Sequence, residues 1–514
     1  MKIAARFLSI ALLALLAAGC ATIDYDYPRQ ESYFLPDTSE TGLGKLVESR
    51  AAGQPPGQSG FFPLNDGVDA LAARLVLAAK AERSIDVQYY LIKNDVVGRA
   101  FVYVLLQAAD RGVRVRLLLD DMFTSGYDVG LAALDAHPNF EIRIFNPFHR
   151  GTAGRAKSAV TGFGRINRRM HNKSFTVDNQ MTVIGGRNIA DEYFGAREDA
   201  KFGDLDVVGI GPIVQDVSNM FDTYWNHETA LPVPAFVKEL DDPQAALDEL
   251  RARLETSLDD VRDSKYAEAI RRKGEAYLEP GHDFFEWAPY QLVVDSPDKG
   301  IKARAAEADS IVTPLTESLR AADKRLIVIS PYFVPMKSGV EGLSNMQRRG
   351  VDVIVITNSL AANNQFTVHG GYAPARKPLL EAGVKIYEMR PDADVAGTEF
   401  IDASGARATL HTKAFVVDDE ETFIGSFNFD PRSANLNTEM GVIIRDPELS
   451  LIYAVLVEEA LTHQTFEVFL NEKGKLRWRG YTDGEEILYD KEPQTTWGQR
   501  AMAWFARIIP KSQL

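Results

Sequence analysis

The sequence predicts an α/β fold of two homologous domains, each with a mixed sheet sandwiched by helices, related by a pseudo-twofold axis with a shared site at their interface. Three observations support this fold. An H-x-K-x-x-x-x-D motif occurs twice, as HNKSFTVD from His171 and HTKAFVVD from His411, 240 residues apart. Similar tails follow the two copies, GGRN after the first and GSFN after the second. The predicted strands, such as VRVRLLL and VDVIVI, are near-continuous apolar runs, which is typical of strands buried under helices on both faces.

The repeat extends upstream of the motifs. Similar segments occur in the same order in both halves, namely 82–92 with 323–334, 110–121 with 348–359, and 141–147 with 384–391. Each half should therefore run strand, helix, strand, helix, strand and then the strand that carries the motif. In H-x-K the two side chains stand at i and i+2, so on a strand they face the same side.

Composition sets the boundaries around the two repeats. We expect a signal peptide over 1–19, a Pro-, Ser- and Gly-rich lipidated linker over 20–60, a first repeat domain over 61–230, a helical connecting segment over 231–300, a second repeat domain over 301–470 and a C-terminal tail over 471–514. The charged helical stretch at 235–275 is interpreted as a solvated spacer between the halves.

The N-terminus predicts a lipid-anchored envelope protein. A positive start, a short apolar run and Ala17-Ala18-Gly19-Cys20 resemble a bacterial lipobox, in which the cysteine is lipidated. The alternative is an ordinary signal or short anchor with an incidental cysteine. Ala21 after the cysteine resembles the outer-membrane sorting pattern, so we expect a periplasm-facing protein with the outer membrane weakly favoured.

The repeated residue types suit attack on a phosphodiester. A metal-free enzyme needs a nucleophile, a proton donor for the leaving alcohol and fixed positive charge around the phosphoryl oxygens. Histidine serves either of the first two roles, lysine supplies the charge and asparagine adds amide donors. The candidate residues are His171, Lys173, Asn188, His411, Lys413 and Asn428. Asp178 and Asp418 complete the two motifs, but they fall on the opposite strand face, so we interpret them as structural partners.

The net charge and the spacing of possible metal ligands exclude some classes of partner and cofactor. The net charge of −15 makes the surface a poor match for nucleic acid, so no nucleic-acid partner is expected. No run of His, Cys, Asp and Glu has metal-ligand spacing, so neither a metal nor another cofactor is expected; Asp120 and Asp121 are interpreted as a strand-end turn. Tyr89, Tyr90, Tyr332 and Phe333 could line a lipid groove or pack in the core. His369 is either a pocket residue or a structural one.

The motifs RMHNKSFTVD, FGDLDVVGIGP and GSFNFDPRSANLNTEMG resemble the phospholipase D superfamily over roughly residues 60–470. Within it the chain resembles bacterial cardiolipin synthases of the C type. The resemblance implies a phosphohistidine intermediate on His171 with His411 as general acid. An orienting carboxylate is needed by each histidine. Aligning the two halves assigns Asp204 to His171 and Glu439 to His411, with Asp206 as an alternative to Asp204.

The resemblance also implies the substrates. The expected reaction transfers a phosphatidyl group from phosphatidylglycerol or phosphatidylethanolamine to phosphatidylglycerol at a membrane surface. A hydrolase that releases phosphatidic acid is the alternative, and a nuclease of the same superfamily is a weaker one. Near the C-terminus, Trp497, Ala501, Trp504, Phe505 and Ile508 fall at helical spacing. This stripe suits either an interfacial amphipathic helix or a helix docked on the protein's own core.

Overall fold

Each half of the chain builds one mixed sheet, and the two sheets pack against each other with helices on their outer faces. The computed structural model describes residues 23–151, 154–155, 158, 163–197, 199–277, 284–301, 309–393, 406–482 and 484–508. The predicted signal peptide and Cys20 lie outside these residues. The fold class predicted from the repeat is confirmed.

The first half contains helices α1 to α6 and strands β1 to β9. The helices are α1 Gly42–Ala51, α2 Gly67–Lys80, α3 Val96–Asp110, α4 Asp128–Asp135, α5 Phe163–Ile166 and α6 Pro212–Trp225. The strands are β1 Ser59–Leu64, β2 Ser84–Tyr89, β3 Arg114–Asp120, β4 Phe140–Phe145, β5 Ser174–Val177, β6 Met181–Gly185, β7 Ala200–Gly203, β8 Asp206–Ile210 and β9 Ala230–Pro232.

The connecting region and second half supply the remaining elements. The helices are α7 Pro243–Asp259, α8 Lys265–Tyr277, α9 Val312–Arg320, α10 Met336–Arg348, α11 Phe366–Glu381, α12 Pro431–Asn435, α13 Pro447–Gln464 and α14 Trp497–Ala506. The strands are β10 Glu286–Ala288, β11 Tyr290–Val294, β12 Arg325–Ile329, β13 Asp352–Asn358, β14 Lys385–Met389, β15 Arg407–Leu410, β16 Ala414–Val417, β17 Glu421–Gly425, β18 Met440–Ile444, β19 Thr465–Leu470, β20 Leu476–Thr482 and β21 Glu485–Tyr489.

Strand order shows the duplication directly. The first sheet runs β10-β1-β8-β6-β5-β2-β3-β4-β9, and the second runs β11-β18-β17-β16-β12-β13-β14-β19-β20-β21. In both, three parallel strands (β2-β3-β4 and β12-β13-β14) adjoin an antiparallel motif strand, β5 or β16. These central strands are buried along almost their whole length, as their apolar runs predict.

The halves join through both side chains and backbone. One apolar cluster draws on both sheets, including Ile184, Val207, Ile424 and Val442. A separate two-stranded parallel sheet pairs β7 of the first half with β15 of the second. This double connection holds the two motif-bearing segments at one interface.

The interpretation of the connecting segment as a solvated helical spacer is wrong. Helices α7 and α8 pack on α2, α3 and α4 of the first half. They bury Leu247, Leu254, Tyr266 and Ala269, a sparse set of apolar residues among many charges. Strands β10 and β11 then extend the first and second sheets respectively, so the segment ties the two halves together.

The two ends of the chain also contain more structure than composition suggested. The predicted linker includes α1, which buries Leu43 and Val47, and its stretch near Ser32 bonds to Trp225 and Arg116. The tail adds β20 and β21 to the second sheet before α14. Among the described residues, no helix is long and apolar enough to cross a membrane.

Candidate active site

The two H-x-K segments meet at the domain interface, just before their strands. His171 to Lys173 and His411 to Lys413 lie outside regular secondary structure, and the strands themselves start at Ser174 and Ala414, later than the motif suggested. The i, i+2 geometry still holds, because each lysine ammonium donates to the backbone carbonyl of the histidine in its own motif. Both histidines and both lysines are buried, with His171 8% and His411 5% exposed.

Each histidine is anchored by backbone of the opposite half. The N–H of His171 donates to the carbonyl of Thr438 at 2.9 Å, and the N–H of His411 donates to the carbonyl of Gly203 at 2.7 Å. Thr438 and Gly203 are the residues that immediately precede the two predicted acids. The interface therefore sets the histidine and the acid of opposite halves side by side.

The orienting carboxylates are paired the other way round from the sequence prediction. His171 Nδ1 lies 2.7 Å from Glu439 Oε2, and His411 Nδ1 lies 2.5 Å from Asp204 Oδ2. The assignment of Asp204 to His171 and Glu439 to His411 is thus wrong. The reason is that each acid stands just before a strand of its own sheet, β8 or β18, where the preceding residue bonds to the backbone of the other half's histidine.

Asp206, the alternative partner for His171, has a different role. Its carboxylate accepts from Arg74 Nη2 at 2.8 Å and from the backbone N–H of Arg187 at 3.1 Å. The Arg187 side chain also donates to the carbonyls of Leu64 and Asp204. This buried arginine ties down the segment that presents Asp204, and it was missed because GGRN was examined only for its asparagine.

Hydrogen bonds and nearby positive charges keep both acids ionised. Glu439 accepts from Ser426 Oγ at 2.5 Å and Ser433 Oγ at 2.7 Å besides facing His171. Burial alone raises the pKa of Glu439, but His171, Lys173 and the Ser426 bond outweigh it and hold this pKa below its usual range. In Asp204 the same opposition, with Lys413 and His411 on the lowering side, also gives a lowered pKa.

An ionised carboxylate on Nδ1 makes that nitrogen the proton donor, which leaves Nε2 of each ring for chemistry. Burial lowers the pKa of His171 to about 4 and that of His411 to about 3, with the lysines adding to the effect. Burial likewise lowers the pKa of Lys173 to about 7 and that of Lys413 to about 8. A phosphodiester anion bound between these groups would raise all four values, since opposite charge favours the protonated form.

Both asparagines contact residues that adjoin the histidine–acid pairs, Asn188 through Tyr193 and Asn428 through Ser433, and both have spare hydrogen-bonding capacity. Asn188 and Asn428 are buried, and within the described part of the chain their side-chain oxygens have no hydrogen-bond partner. Buried polar atoms are rarely left unpaired, so such atoms at a site are typical of a position that a ligand completes. Asn188 Nδ2 donates to Tyr193 OH at 2.9 Å.

Aromatic rings enclose the imidazoles. Tyr90 packs edge-on to His171 with ring centroids 5.1 Å apart, while Phe202 stacks on His411 at 5.5 Å. Tyr193 OH lies 3.5 Å from His411 Nε2. Neither Tyr193 nor Phe202 was identified from sequence, because neither belongs to the repeated pattern.

The four aromatic residues predicted at strand ends fall into two groups, one at the site and one in the core. Of the four strand-end aromatics, Tyr90 and Tyr332 face the histidines, whereas Tyr89 and Phe333 are fully buried in the core. His369 is buried on α11 with Nε2 3.4 Å from Glu492 Oε1, so it holds the C-terminal tail rather than the site.

The remaining candidate residues are structural. Asp178 accepts from the backbone N–H groups of residues 82–84, and Asp418 accepts from those of residues 323–325. Both lie at turn positions with positive φ, 51° and 55°. Asp120 accepts from the N–H of Met170 and thereby positions the residue before His171, while Asp121 pairs with Arg150. Within the described ranges no three His, Cys, Asp or Glu residues cluster as a metal site.

Comparisons with known proteins identify a family that matches both halves of the chain. A family model described as "Cardiolipin synthase, PLD-like domain" matches residues 75–225 and 315–460, one match per half. The chain is 41% identical to cardiolipin synthase C of Escherichia coli, covering 89% of this chain and 96% of that protein. An uncharacterised protein of Helicobacter pylori is 30% identical over the whole of both chains.

A solved structure supports the fold. The phosphatidylserine synthase of Haemophilus influenzae superposes with a TM-score of 0.55 at 14% identity, covering 90% of this chain and 97% of that one. At this identity the likeness concerns the architecture of two α/β halves.

Proposed function

The chain belongs to the cardiolipin synthase family of phospholipase D-like proteins, and on that premise we propose that it is a phosphatidyltransferase that makes cardiolipin. The donor is phosphatidylglycerol or phosphatidylethanolamine, and the acceptor is phosphatidylglycerol. The observation that carries the proposal is the pair of buried histidines, each oriented by an ionised carboxylate of the other half, with a lysine beside each.

In the first step His171 Nε2 attacks phosphorus. A nitrogen–phosphorus bond forms, the bond from phosphorus to the headgroup oxygen breaks, and His411 gives its Nε2 proton to that oxygen, so glycerol or ethanolamine leaves. Glu439 stabilises the positive charge that develops on His171. The ammoniums of Lys173 and Lys413 stabilise the charge on the phosphoryl oxygens.

In the second step His411, now neutral, takes the proton from a glycerol hydroxyl of phosphatidylglycerol. That oxygen attacks phosphorus and the bond to His171 breaks. One phosphodiester is replaced by another, so the exchange needs no nucleotide and no redox partner. Water in place of the lipid alcohol would release phosphatidic acid instead.

A lipid substrate requires access to a membrane, and we propose two contacts. The first is acylated Cys20, which lies outside the described residues. The second is α14, which docks on α11 through Ala503 and Ala506 but leaves Trp504 and Phe505 58% and 61% exposed. Four members of the predicted stripe, Trp497, Trp504, Phe505 and Ile508, are exposed, so the alternative in which the stripe docks on the protein's own core is wrong: the helix docks through another face. Tryptophan and phenylalanine with flanking arginines suit the bilayer interface.

The position of α14 supports this second contact. The helix rests against Gly370, one turn into α11, and the loop before α11 carries Asn364, which accepts from Tyr332 OH at 3.0 Å. Tyr332 in turn packs edge-on to His411. Helix α14 is thus connected to the surroundings of His411 through α11 and the loop before it, and we propose that its exposed aromatic residues meet the bilayer from which the lipid headgroup enters. We place the protein on the periplasmic side of the cell envelope.

The test uses purified full-length protein in mixed micelles of phosphatidylglycerol and phosphatidylethanolamine, with products resolved by mass spectrometry. The proposal is supported if the wild type forms cardiolipin and neither His171→Ala nor His411→Ala does, while both variants keep the wild-type circular dichroism spectrum. Phosphatidic acid as the main product would replace it with a hydrolase. Wild-type rates in either variant would refute the two-histidine mechanism.

A further inference from the structure

An open apolar groove lies on the second half, outside the catalytic residues. It runs between α9 and α10 over the loop that joins β17 to α12, and its volume is about 730 Å³. Ligand-binding sites typically occupy roughly 300–1,000 Å³. The apolar lining includes Leu315, Leu319, Met336, Leu343, Phe427 and Phe429.

The chain segment that forms the floor of this groove also contributes residues to the catalytic site. After β17 the side chains alternate in direction: Ser426 bonds to Glu439, Phe427 lines the groove, Asn428 belongs to the site and Phe429 lines the groove again. Asp430 also lines the groove. Burial lowers the pKa of the catalytic lysine Lys413, and the Asp430 carboxylate is one of the acidic neighbours that partly offset this effect. The groove and the phosphate site at the lysines are therefore neighbours, separated by the segment that follows β17.

The helices at the equivalent place in the first half are packed differently. There α2 and α3, the counterparts of α9 and α10, pack directly on each other, and α8 covers α2. Helix α8 buries Tyr266, whose hydroxyl donates to the carbonyl of Phe194 at 2.6 Å. Among the described elements, no helix packs in the corresponding place on the second half. Among the described elements, the duplicated fold thus has a covering helix on the first half and none at the equivalent place on the second.

We propose that this groove binds one fatty acyl chain of the phospholipid substrate. The inference rests on the proposed function, since it assigns the groove to the lipid whose phosphate lies at the lysines. Apolar walls suit a hydrocarbon chain, and the exposed Arg320 and Arg349 at the groove's edge keep the outer end polar. Each methylene buried in such a groove strengthens binding about fourfold, so the groove makes turnover depend on chain length.

Gly342 on α10 provides a selective way to fill the groove. It lines the groove, and a Cβ atom added there meets nothing within 4 Å. Gly342→Trp should place an indole in the groove. The matched control is Gly130→Trp on α4, where an added Cβ atom also meets nothing within 4 Å, in a different groove of the first half.

The experiment compares phosphatidylglycerol donors with palmitoyl and with hexanoyl chains, as kcat/KM in detergent. In Gly342→Trp the long-chain to short-chain ratio should fall at least about tenfold, the equivalent of two methylenes excluded from the groove. The Gly130→Trp ratio should equal that of wild type. An unchanged ratio in Gly342→Trp would overturn the proposal, and so would an equal fall in both variants. If wild type proves to be a hydrolase, the same ratio is read from phosphatidic acid release.

A second measurement uses wild-type protein and needs no turnover. Phosphatidylglycerol with a diazirine at the end of one acyl chain should label peptides from α9, α10 or residues 427–431 upon irradiation. Label confined to other parts of the chain would overturn the groove assignment whatever the activity. Label in the groove of a protein that makes neither cardiolipin nor phosphatidic acid would refute the proposed function and retain the acyl site.

Discussion

The crossed pairing of acids and histidines makes a prediction that separates the two catalytic roles. Glu439→Gln removes the charge that faces His171, and Asp204→Asn removes the charge that faces His411, while both changes keep the size of the side chain. A hydrogen bond to a charged group contributes about 1.5–3 kcal/mol. Each substitution should therefore lower kcat/KM by about 10- to 150-fold with natural lipids.

A donor with an acidic leaving group distinguishes the loss of general-acid function from the loss of nucleophile function. Phosphatidyl-p-nitrophenol needs no proton for its leaving group, so a defect in the general acid disappears with this substrate, whereas a defect in the nucleophile persists. Release of p-nitrophenol in a rapid-mixing experiment should be near the wild-type rate for Asp204→Asn and slow for Glu439→Gln. Thermal unfolding of both variants controls for a damaged interface.

The opposite outcome would be equally informative. If Glu439→Gln were rescued by the activated donor and Asp204→Asn were not, the combination of crossed pairing with His171 as nucleophile would be refuted. Mapping the labelled phosphohistidine would then show which premise is wrong, the crossed pairing or the assignment of His171 as nucleophile. Label on His411 would reverse the roles and retain the crossing, and label on His171 would refute the crossing itself.

Three further outcomes are expected. Exhaustive chelation should leave the transfer rate unchanged, because the catalytic lysines supply the positive charge that a metal would provide; loss with EDTA and recovery with one divalent ion would contradict this. Cys20→Ser should release much of the protein from membranes in cell fractionation without changing activity in detergent, and adding Trp504→Ser and Phe505→Ser should release the rest; full retention of the triple variant would refute both anchors. Asp418→Ala should lower the free energy of urea unfolding by about 1–3 kcal/mol, because three backbone N–H groups lose their acceptor, whereas Asp419→Ala should cost less than about 1 kcal/mol. Burial by itself raises the pKa of Asp418, but the backbone donors outweigh it and lower this pKa, so its stabilisation is present above about pH 4 and is lost as the pH falls through the folded value.

The sequence predicted what the repeat encodes. Two copies of one motif identify equivalent histidines, lysines and asparagines, and apolar runs of the right length identify buried parallel strands. The structural role of Asp178 was predicted from its place on the opposite strand face, and its three backbone donors agree with it. These features are local, so they can be recognised without knowing how the halves pack.

Features that depend on packing between segments were out of reach. Aligning the halves assigned Asp204 and Glu439 correctly to equivalent positions, but an alignment carries no information on which histidine each acid contacts in space. Strands β10 and β11 are short edge strands that pair with distant parts of each sheet. Tyr193 occurs in only one half, so repeat analysis could not identify it.

The exchange of acids across the interface has a consequence for a protein with a single repeat. In such a chain the histidine would need an acid from a second unit, since here each acid contacts the histidine of the other half. Two identical copies related by a twofold axis would satisfy both histidines at once, because an isologous contact repeats itself on the other side. Chemistry of this kind could thus precede gene fusion only in a homodimer. Once the two units were joined in one chain, each could diverge, which is how one side could gain α8 while the other kept its groove open.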